Sequence, residues 1–203
     1  PRFPPCTRRS SHARAGTLLV GPRHELKTPS AASRVAHDGD VVQIEPGLYA
    51  GDVAVWTQNA LTIRALGGRA HLRADGVQAE GKGIWVIKGA GTTIESIEFS
   101  GARAPDRNGA GIRLEGAGLT VRASYFHDNE NGILACRNLE SDVLVEHCEF
   151  ARNGAGDGRS HHLYIGTSRS FPLRYSYHTP ATVGPTGKHR PAQNNSLCNP
   201  TAE

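Results

Sequence analysis

Six short segments of this chain align so that one column always carries a charged residue, whose sign alternates from segment to segment. The residue before each charge is apolar, as expected where a strand directs alternate side chains into a core. In stacked parallel strands, side chains about 4.8 Å apart attract when their charges are opposite and repel when they are alike. The pattern therefore predicts a solenoid whose register the charges favour. This charge column consists of Glu45, Arg64, Glu95, Arg122, Glu146 and Arg174.

The spacing of the repeat varies, which indicates loops of different length between strands. Successive charges are 19, 31, 27, 24 and 28 residues apart. Further downstream in each segment an aromatic column recurs, which Gly68 and His178 interrupt; its members are Tyr49, Phe99, Phe126 and Phe150. Two turn asparagines, Asn129 and Asn153, occupy equivalent positions and are expected to hydrogen-bond from rung to rung.

A second family of strands lies between these segments and reads GIWVIKG, GAGIRLEG, NGILAC and HHLYIG. We place Ile84, Val86 and their equivalents inward. One outward column then contains Leu134 and three residues that could bind a substrate, namely Trp85, Arg113 and Tyr164. An aromatic and basic stripe on a solvent face suits a sugar ligand, because sugar faces stack on exposed aromatic rings.

Before the first charged segment, the apolar residues Ala32, Val35 and Ala36 recur at helical spacing. Ser30 could cap this helix, and Asp38 with Gly39 could end it. A short helix here would cover the open end of the solenoid, which otherwise exposes strand edges.

Length and charge favour one domain with an N-terminal tail. The chain has 203 residues, 24 glycines for corners, and a net charge of +4. We bound the tail at residues 1–16, the solenoid at 17–199 and a short C-terminal end at 200–203. The tail contains four arginines, Arg2, Arg8, Arg9 and Arg14. Without the tail the body is close to neutral and has no interleaved basic and aromatic pattern, so we expect no nucleic-acid partner. No apolar run is long enough to span a membrane.

The cysteines show no CxxC pair and no metal spacing. Cys148 falls on an inward position and is expected to act as a small buried hydrophobe. Cys6, Cys136 and Cys198 do not identify a compartment. The chain begins with Pro1, so an upstream targeting signal can be missing, in which case we expect an extracytoplasmic (periplasmic or secreted) location. The sequence does not indicate an oligomeric state.

The segments AHDGDVVQIEPGLYAGD, IEFSGARAPDRNGAGIRLEG and YFHDNENGIL resemble the pectin-lyase-like superfamily, in particular its bacterial right-handed β-helix repeat proteins. The resemblance covers roughly residues 17–199. It implies an all-β fold, a right-handed parallel β-helix of about five to six coils with a short N-terminal capping helix. It also implies a carbohydrate-active protein that binds or cleaves a polysaccharide, or a non-catalytic structural or adhesive module, since one scaffold hosts many functions.

Candidate catalytic residues gather in the C-terminal third. Cleavage of a uronate polysaccharide by β-elimination needs a cation for the substrate carboxylate, a base and an acid. We assign the cation to Arg190 or Arg159, the base to Lys188 or His162, and the acid to Tyr164. Two alternatives remain open: ordinary loop side chains, or a metal site formed by the suitable ligand types of Asp157, His161 and His178.

The run Lys188-His189-Arg190 with Asn194 and Asn199 is similar to the lysine, arginine and asparagine pattern of polysaccharide lyase family six. That family holds calcium with acidic residues shortly before the lysine, but TPATVGPTG contains none. We therefore expect no cofactor, and weak lyase activity that does not depend on calcium. After HHLYIG, prolines interrupt the pattern, so the C-terminal coils are expected to be truncated.

Overall fold

The computed structural model describes residues 15–154, 161–179 and 187–189, which form a right-handed parallel β-helix of about six turns. This confirms the predicted fold class. The basic tail up to residue 14 and the chain from residue 190 onward lie outside the described residues.

Short strands follow one another around each turn, with a single helix among the described residues, α1 (Pro29–Ser33). The strands are β1 (Thr17–Val20), β2 (Val41–Ile44), β3 (Gly47–Ala50), β4 (Ala54–Trp56), β5 (Thr62–Ala65), β6 (Ala70–Arg73), β7 (Gly83–Ile87), β8 (Thr92–Glu95), β9 (Ile97–Ser100), β10 (Ala110–Leu114), β11 (Leu119–Arg122), β12 (Tyr125–His127), β13 (Asn131–Ala135), β14 (Asn138–Glu146), β15 (Glu149–Ala151), β16 (Leu163–Ile165), β17 (Ser168–Ser170), β18 (Leu173–Arg174), β19 (Tyr177–His178) and β20 (Gly187–His189).

Three parallel sheets form the walls of the solenoid. Sheet 1 has the order β1-β2-β5-β8-β11-β14-β17, and β18 also pairs with β14. Sheet 2 has the order β3-β6-β9-β12-β15-β19, and sheet 3 has the order β4-β7-β10-β13-β16-β20. Each turn of the chain thus adds one strand to every sheet, so residues at equivalent positions stack in columns.

The interior is a continuous column of apolar side chains. In sheet 1 the register stacks Val42, Ile63, Ile94, Val121, Val145 and Leu173. In sheet 2 it stacks Tyr49, Leu72, Phe99, Phe126, Phe150 and His178. The predicted aromatic column is therefore confirmed, with Leu72 where the sequence alignment placed Gly68.

The rings of the aromatic column lie nearly parallel. Phe99 and Phe126 have centroids 5.1 Å apart, and Phe126 and Phe150 are 5.0 Å apart. His178 continues the stack on Phe150 at 4.9 Å, with a 4° angle between the rings. It was predicted to break the pattern, but a flat imidazole fills the same position as a phenyl ring.

The charge column is confirmed for five of its six members. The register pairs Arg64 with Glu95, Glu95 with Arg122, Arg122 with Glu146, and Glu146 with Arg174. Arg122 Nε lies 2.5 Å from Glu146 Oε1, and its Nη1 lies 3.5 Å from Glu95 Oε1.

Glu45 was placed in this column wrongly. The register pairs Gln43 with Arg64, so Glu45 lies two residues further along the chain, just after β2. Its carboxylate instead contacts Arg23 at 3.0 Å and His24 at 3.3 Å. The misplacement arose because the turn between sheets 1 and 2 differs in length between the first two rungs, which a fixed alignment cannot follow.

The N-terminal helix is present but shorter than expected. Thr28, not Ser30, is its N-cap, and the Thr28 hydroxyl accepts a hydrogen bond from the Ala31 amide at 3.3 Å. The C-cap is Arg34 instead of the Asp38-Gly39 turn. The helix buries Pro29 and Ala32 against the first strands of sheets 1 and 3.

Trp85 lies in the core, which contradicts its predicted outward position. It is fully buried, pairs in register with Ala54 and Ile112, and makes edge contacts with Trp56 at 5.5 Å and Phe99 at 5.1 Å. Every residue of β7 is buried, so its sequence carries no alternation of apolar and polar residues from which to assign the faces.

Cys148 is buried, as predicted, and burial raises the pKa of its thiol to about 12. The other described cysteine, Cys136, is exposed. Among the described residues, no helix is long and apolar enough to cross a membrane.

Replacing Arg122 by glutamate should place three carboxylates in one stack. We expect a loss of about 1–2 kcal/mol in the free energy of unfolding at low salt, because two attractive contacts become repulsive. Added salt should restore part of the lost stability, since these side chains are partly exposed and salt screens their repulsion. Denaturant unfolding at two ionic strengths measures this. The control Arg122→Gln should lose less, and equal losses in both variants would contradict the electrostatic account.

Trp85→Ala should destabilise the fold by about 3–5 kcal/mol, because it opens a cavity where the sheets meet. Trp85→Phe should cost much less, since phenylalanine keeps most of the volume and removes an indole Nε1 that is buried without a partner. Thermal unfolding followed by far-UV circular dichroism measures the stability of the two variants. A small effect of the alanine variant would indicate that the core rearranges around this position.

Candidate functional site

A groove of about 790 Å³ lies on the outward face of sheet 3. Its floor contains Arg113, Leu134 and Tyr164, which the register stacks on three successive rungs. This confirms the predicted outward column for these residues, while their roles stay a prediction. The fourth predicted member, Trp85, is replaced at this register position by Val86.

The rim of the groove comes from loops at both ends of these strands. Asp106, Arg107 and Asn108 precede β10, Cys136 and Arg137 follow β13, and Gly166 and Thr167 follow β16. Gly166 is required here, because a Cβ atom at this position would lie 2.9 Å from the Arg137 nitrogen. The loop rim was not predicted from sequence, since loop residues have no periodicity.

A buried carboxylate holds the loop that carries Arg107. Glu130 Oε2 accepts hydrogen bonds from the Ala104 amide at 3.0 Å and the Gly109 amide at 2.7 Å. Arg107 itself has a left-handed backbone, with φ of 55°. The two ends of the loop are thus tied to the neighbouring rung, which gives the Asp106–Asn108 segment a defined place beside the groove.

The described lining of the groove is positively charged. It contains three arginines, Arg107, Arg113 and Arg137, against one carboxylate, Asp106. Arg113 Nε is buried without a hydrogen-bond partner and lies 3.9 Å from Glu115 Oε1. Lys82 pairs with the same carboxylate oxygen at 2.6 Å, so Glu115 is shared between the two cations.

The remaining predicted catalytic residues are only partly within the described chain. The register places Lys188 opposite Tyr164, on the next rung of sheet 3. Arg159 and Arg190 lie outside the described residues, as does Asp157 of the alternative metal site. Tyr164 stacks on His161, whose ring centroid is 5.9 Å away, and His161 is buried.

His162, one of the two candidate bases, lies in the interior. It is fully buried, and both ring nitrogens are engaged. Nε2 donates to the Thr179 carbonyl at 2.8 Å, and Nδ1 accepts from Asn153 Nδ2 at 2.9 Å. Burial lowers the pKa of this imidazole, which therefore stays neutral and serves the fold.

His162 ends a ladder of buried amides that was predicted from the paired turn asparagines. Asn129 Nδ2 donates to Asn153 Oδ1 at 3.0 Å and to the Phe99 carbonyl at 3.0 Å. Asn153 Nδ2 in turn donates to the Phe126 carbonyl at 2.9 Å. The ladder satisfies the backbone at the same corner of successive turns.

The described groove does not fit calcium. Calcium takes six to eight oxygen ligands, mostly from carboxylates and carbonyls, and Asp106 is the one carboxylate of the described lining. A different group of metal-ligand types, His71, Glu98 and His127, lies on sheet 2. The sequence did not suggest it, because these residues are far apart along the chain.

Residues 55–175 match the family described as the right handed beta helix region. The match covers more than half of the chain, so the protein belongs to this family. No curated protein matches the sequence. Two solved structures are similar in fold. A mutant pectin methylesterase in complex with a hexasaccharide has 13% identity, a TM-score of 0.47, and coverage of 80% of this chain and 67% of its own.

The second is the Aspergillus niger pectin methylesterase in a deglycosylated form, with 10% identity and a TM-score of 0.35. The alignment covers 94% of this chain and 92% of that one.

The histidine that ends the aromatic column should make the protein sensitive to acid. Burial lowers the pKa of His178 to about 4, and both ring nitrogens lack partners. Between about pH 4 and 6.5 the unfolded chain, whose histidine pKa lies near 6.5, binds more protons than the folded chain. Stability should therefore fall by on the order of 2–3 kcal/mol as the pH drops from about 6.5 to 4.

His178→Phe should keep the stack on Phe150 and flatten this part of the pH profile. Unfolding free energies of parent and variant across this pH range measure the difference. The control His147→Asn changes an exposed histidine and should leave the slope unchanged. Parallel profiles for parent and His178→Phe would show that the buried imidazole is not the acid-sensitive group.

Proposed function

We propose that the protein binds an anionic polysaccharide in the groove of sheet 3. The observation that carries the proposal is the excess of guanidinium groups in the described lining, three arginines against one carboxylate. Guanidinium groups bind carboxylates and sulfates through paired, charge-assisted hydrogen bonds.

The shape of the groove favours a polymer over a small ligand. Arg113, Leu134 and Tyr164 lie on successive rungs, which parallel pairing spaces about 4.8 Å apart. A polysaccharide laid along the solenoid axis would meet equivalent positions on each rung. The Leu134 and Tyr164 side chains offer apolar surface for sugar rings, while Asn108 and Thr167 offer hydrogen bonds to hydroxyl groups.

Cleavage by β-elimination is the sharper form of this proposal. Arg113 or Arg137 would neutralise the substrate carboxylate in place of a metal, and Tyr164 would protonate the leaving oxygen. The base would be Lys188, which is supported by its register position opposite Tyr164. Arg159 and Arg190 remain predicted contributors. The competing function is a module that binds the same polymer without cleaving it.

Arg113→Gln should weaken binding of the polymer at least tenfold, since it removes a charge-assisted contact worth about 1.5–3 kcal/mol. Titration calorimetry with polygalacturonate, alginate and chondroitin sulfate measures this, with dextran and a DNA oligonucleotide as ligands that should bind weakly. Arg122→Gln is the matched control, because it removes one arginine from sheet 1. Equal losses in both variants, or tighter binding of DNA, would contradict the proposal.

The same samples distinguish the enzyme from the module. Unsaturated products of β-elimination absorb in the ultraviolet, so a lyase should show a rising absorbance that Tyr164→Phe and Lys188→Ala abolish. We expect this rate to be low and unchanged by calcium or by a chelator. Binding that depends on Arg113 without any product would identify the non-catalytic module, and strong calcium-dependent cleavage would contradict the mechanism.

A further inference from the structure

Sheet 2 carries a cluster of two histidines and one carboxylate on its outward face. His71 lies on β6, Glu98 on β9 and His127 on β12, so three consecutive rungs contribute one residue each. Glu98 Oε1 lies 3.5 Å from His71 Nδ1 and 3.0 Å from His127 Nε2. One ligand atom from each residue lies within 4.8 Å of the other two.

The second nitrogen of each imidazole is held by a neighbouring group. His127 Nδ1 lies 2.6 Å from Asp128 Oδ2, and His71 Nε2 lies 2.7 Å from Ser100 Oγ. Arg152 binds the same Asp128 carboxylate, with its Nη2 2.7 Å from Asp128 Oδ2. Such partners set the orientation and tautomer of histidines that bind metals.

This orientation creates a local electrostatic problem at Glu98. In the tautomer whose Nδ1–H donates to Asp128 Oδ2, His127 Nε2 turns a lone pair toward the Glu98 carboxylate, which is also an acceptor. Two acceptors 3.0 Å apart repel unless a proton or a metal ion lies between them.

The arginines around the cluster do not neutralise Glu98. Arg152 pairs with Asp128 at 2.7 Å, and Arg69 pairs with Glu149 at 2.5 Å. Arg73 pairs with Asp75 at 2.5 Å. Each of these cations has its own carboxylate, so the Glu98 charge is left to the two imidazoles.

The walls of the site are half-buried and rigid. The side chains of His71, Glu98 and His127 are 28%, 23% and 14% exposed. The Tyr125 ring stacks on His127 at 4.4 Å, and the Arg69 guanidinium lies 5.5 Å from the centre of the Tyr125 ring. This packing limits ring rotation of His127 while leaving one side of the cluster open to solvent.

We propose that this cluster binds one Zn²⁺ ion through His71 Nδ1, His127 Nε2 and the Glu98 carboxylate. Two imidazole nitrogens and one carboxylate are a common three-ligand set for zinc, with a fourth position left for water. Nitrogen ligands favour zinc over magnesium and calcium, which prefer oxygen. Small rotamer changes would bring the three atoms to bonding distance. The ion would join three rungs of the solenoid and so stabilise the fold when bound.

Calorimetric titration of the chelator-treated full chain with ZnCl₂ tests the site, with thermal unfolding as a second readout. We expect one equivalent to bind and to raise the melting temperature, whereas CaCl₂ and MgCl₂ should do neither. Glu98→Gln and His127→Gln should each lower zinc affinity at least tenfold. Asp128→Asn, which changes a positioning residue, should lower it about tenfold.

His37→Gln is the matched control, because it removes a histidine whose side chain is 75% exposed and lies elsewhere. The metal-free melting temperature and far-UV spectrum of each variant show whether it folds, and Glu98→Gln preserves the size and shape of the side chain. Visible absorption of the Co²⁺-loaded protein reports ligand geometry independently of stability. Absence of zinc binding, unchanged zinc affinity in Glu98→Gln and His127→Gln, or an equal loss in His37→Gln would overturn the proposal.

Discussion

Hydrogen bonding between successive turns is the interaction on which the rest of this structure depends. Because the strands are parallel and in register, the strands of each turn repeat the strand backbone of the turn before it. The corner between sheets 1 and 2 shows how strictly this holds. Ser96, Ala123, His147 and Tyr175 follow the charge column on four rungs, and all four have left-handed backbones with φ between 48° and 60°. The left-handed backbone at each corner is strained. Hydrogen bonds between the corners of successive turns offset the energetic cost of this strain.

Stacking also determines which polar groups the interior can hold. Asn129 and Asn153 are buried at one corner, and each amide is satisfied by the turn before or after it. A polar column of this kind tolerates a new residue only if that residue continues the chain of donors and acceptors. His162 does so as a neutral imidazole. His178 does not, because it follows the aromatic column and leaves its nitrogens without partners.

The outward faces of the sheets differ in how their charges are arranged. On sheet 2 the arginines are paired with nearby carboxylates, which leaves Glu98 and two histidines as a compact set of ligands. On sheet 3 the arginines outnumber the carboxylates in the described lining of the groove. The first arrangement suits a cation and the second an anion, although the same stacking rule produced both. Function in this fold depends on which side chains share a column.

The sequence by itself determined the columns whose residues alternate along a strand. Its apolar, aromatic and asparagine positions and most of its charge column predicted the parallel stack, because period-2 patterning distinguishes the two faces of a strand. It assigned Trp85 to the wrong face since β7 is buried on both sides, and it misplaced Glu45 since the early turns differ in length. Only the tertiary structure decided that His162 is interior, that loop arginines line the groove, and that His71, Glu98 and His127 meet. These contacts join different turns through loops of unequal length, and no local pattern encodes them.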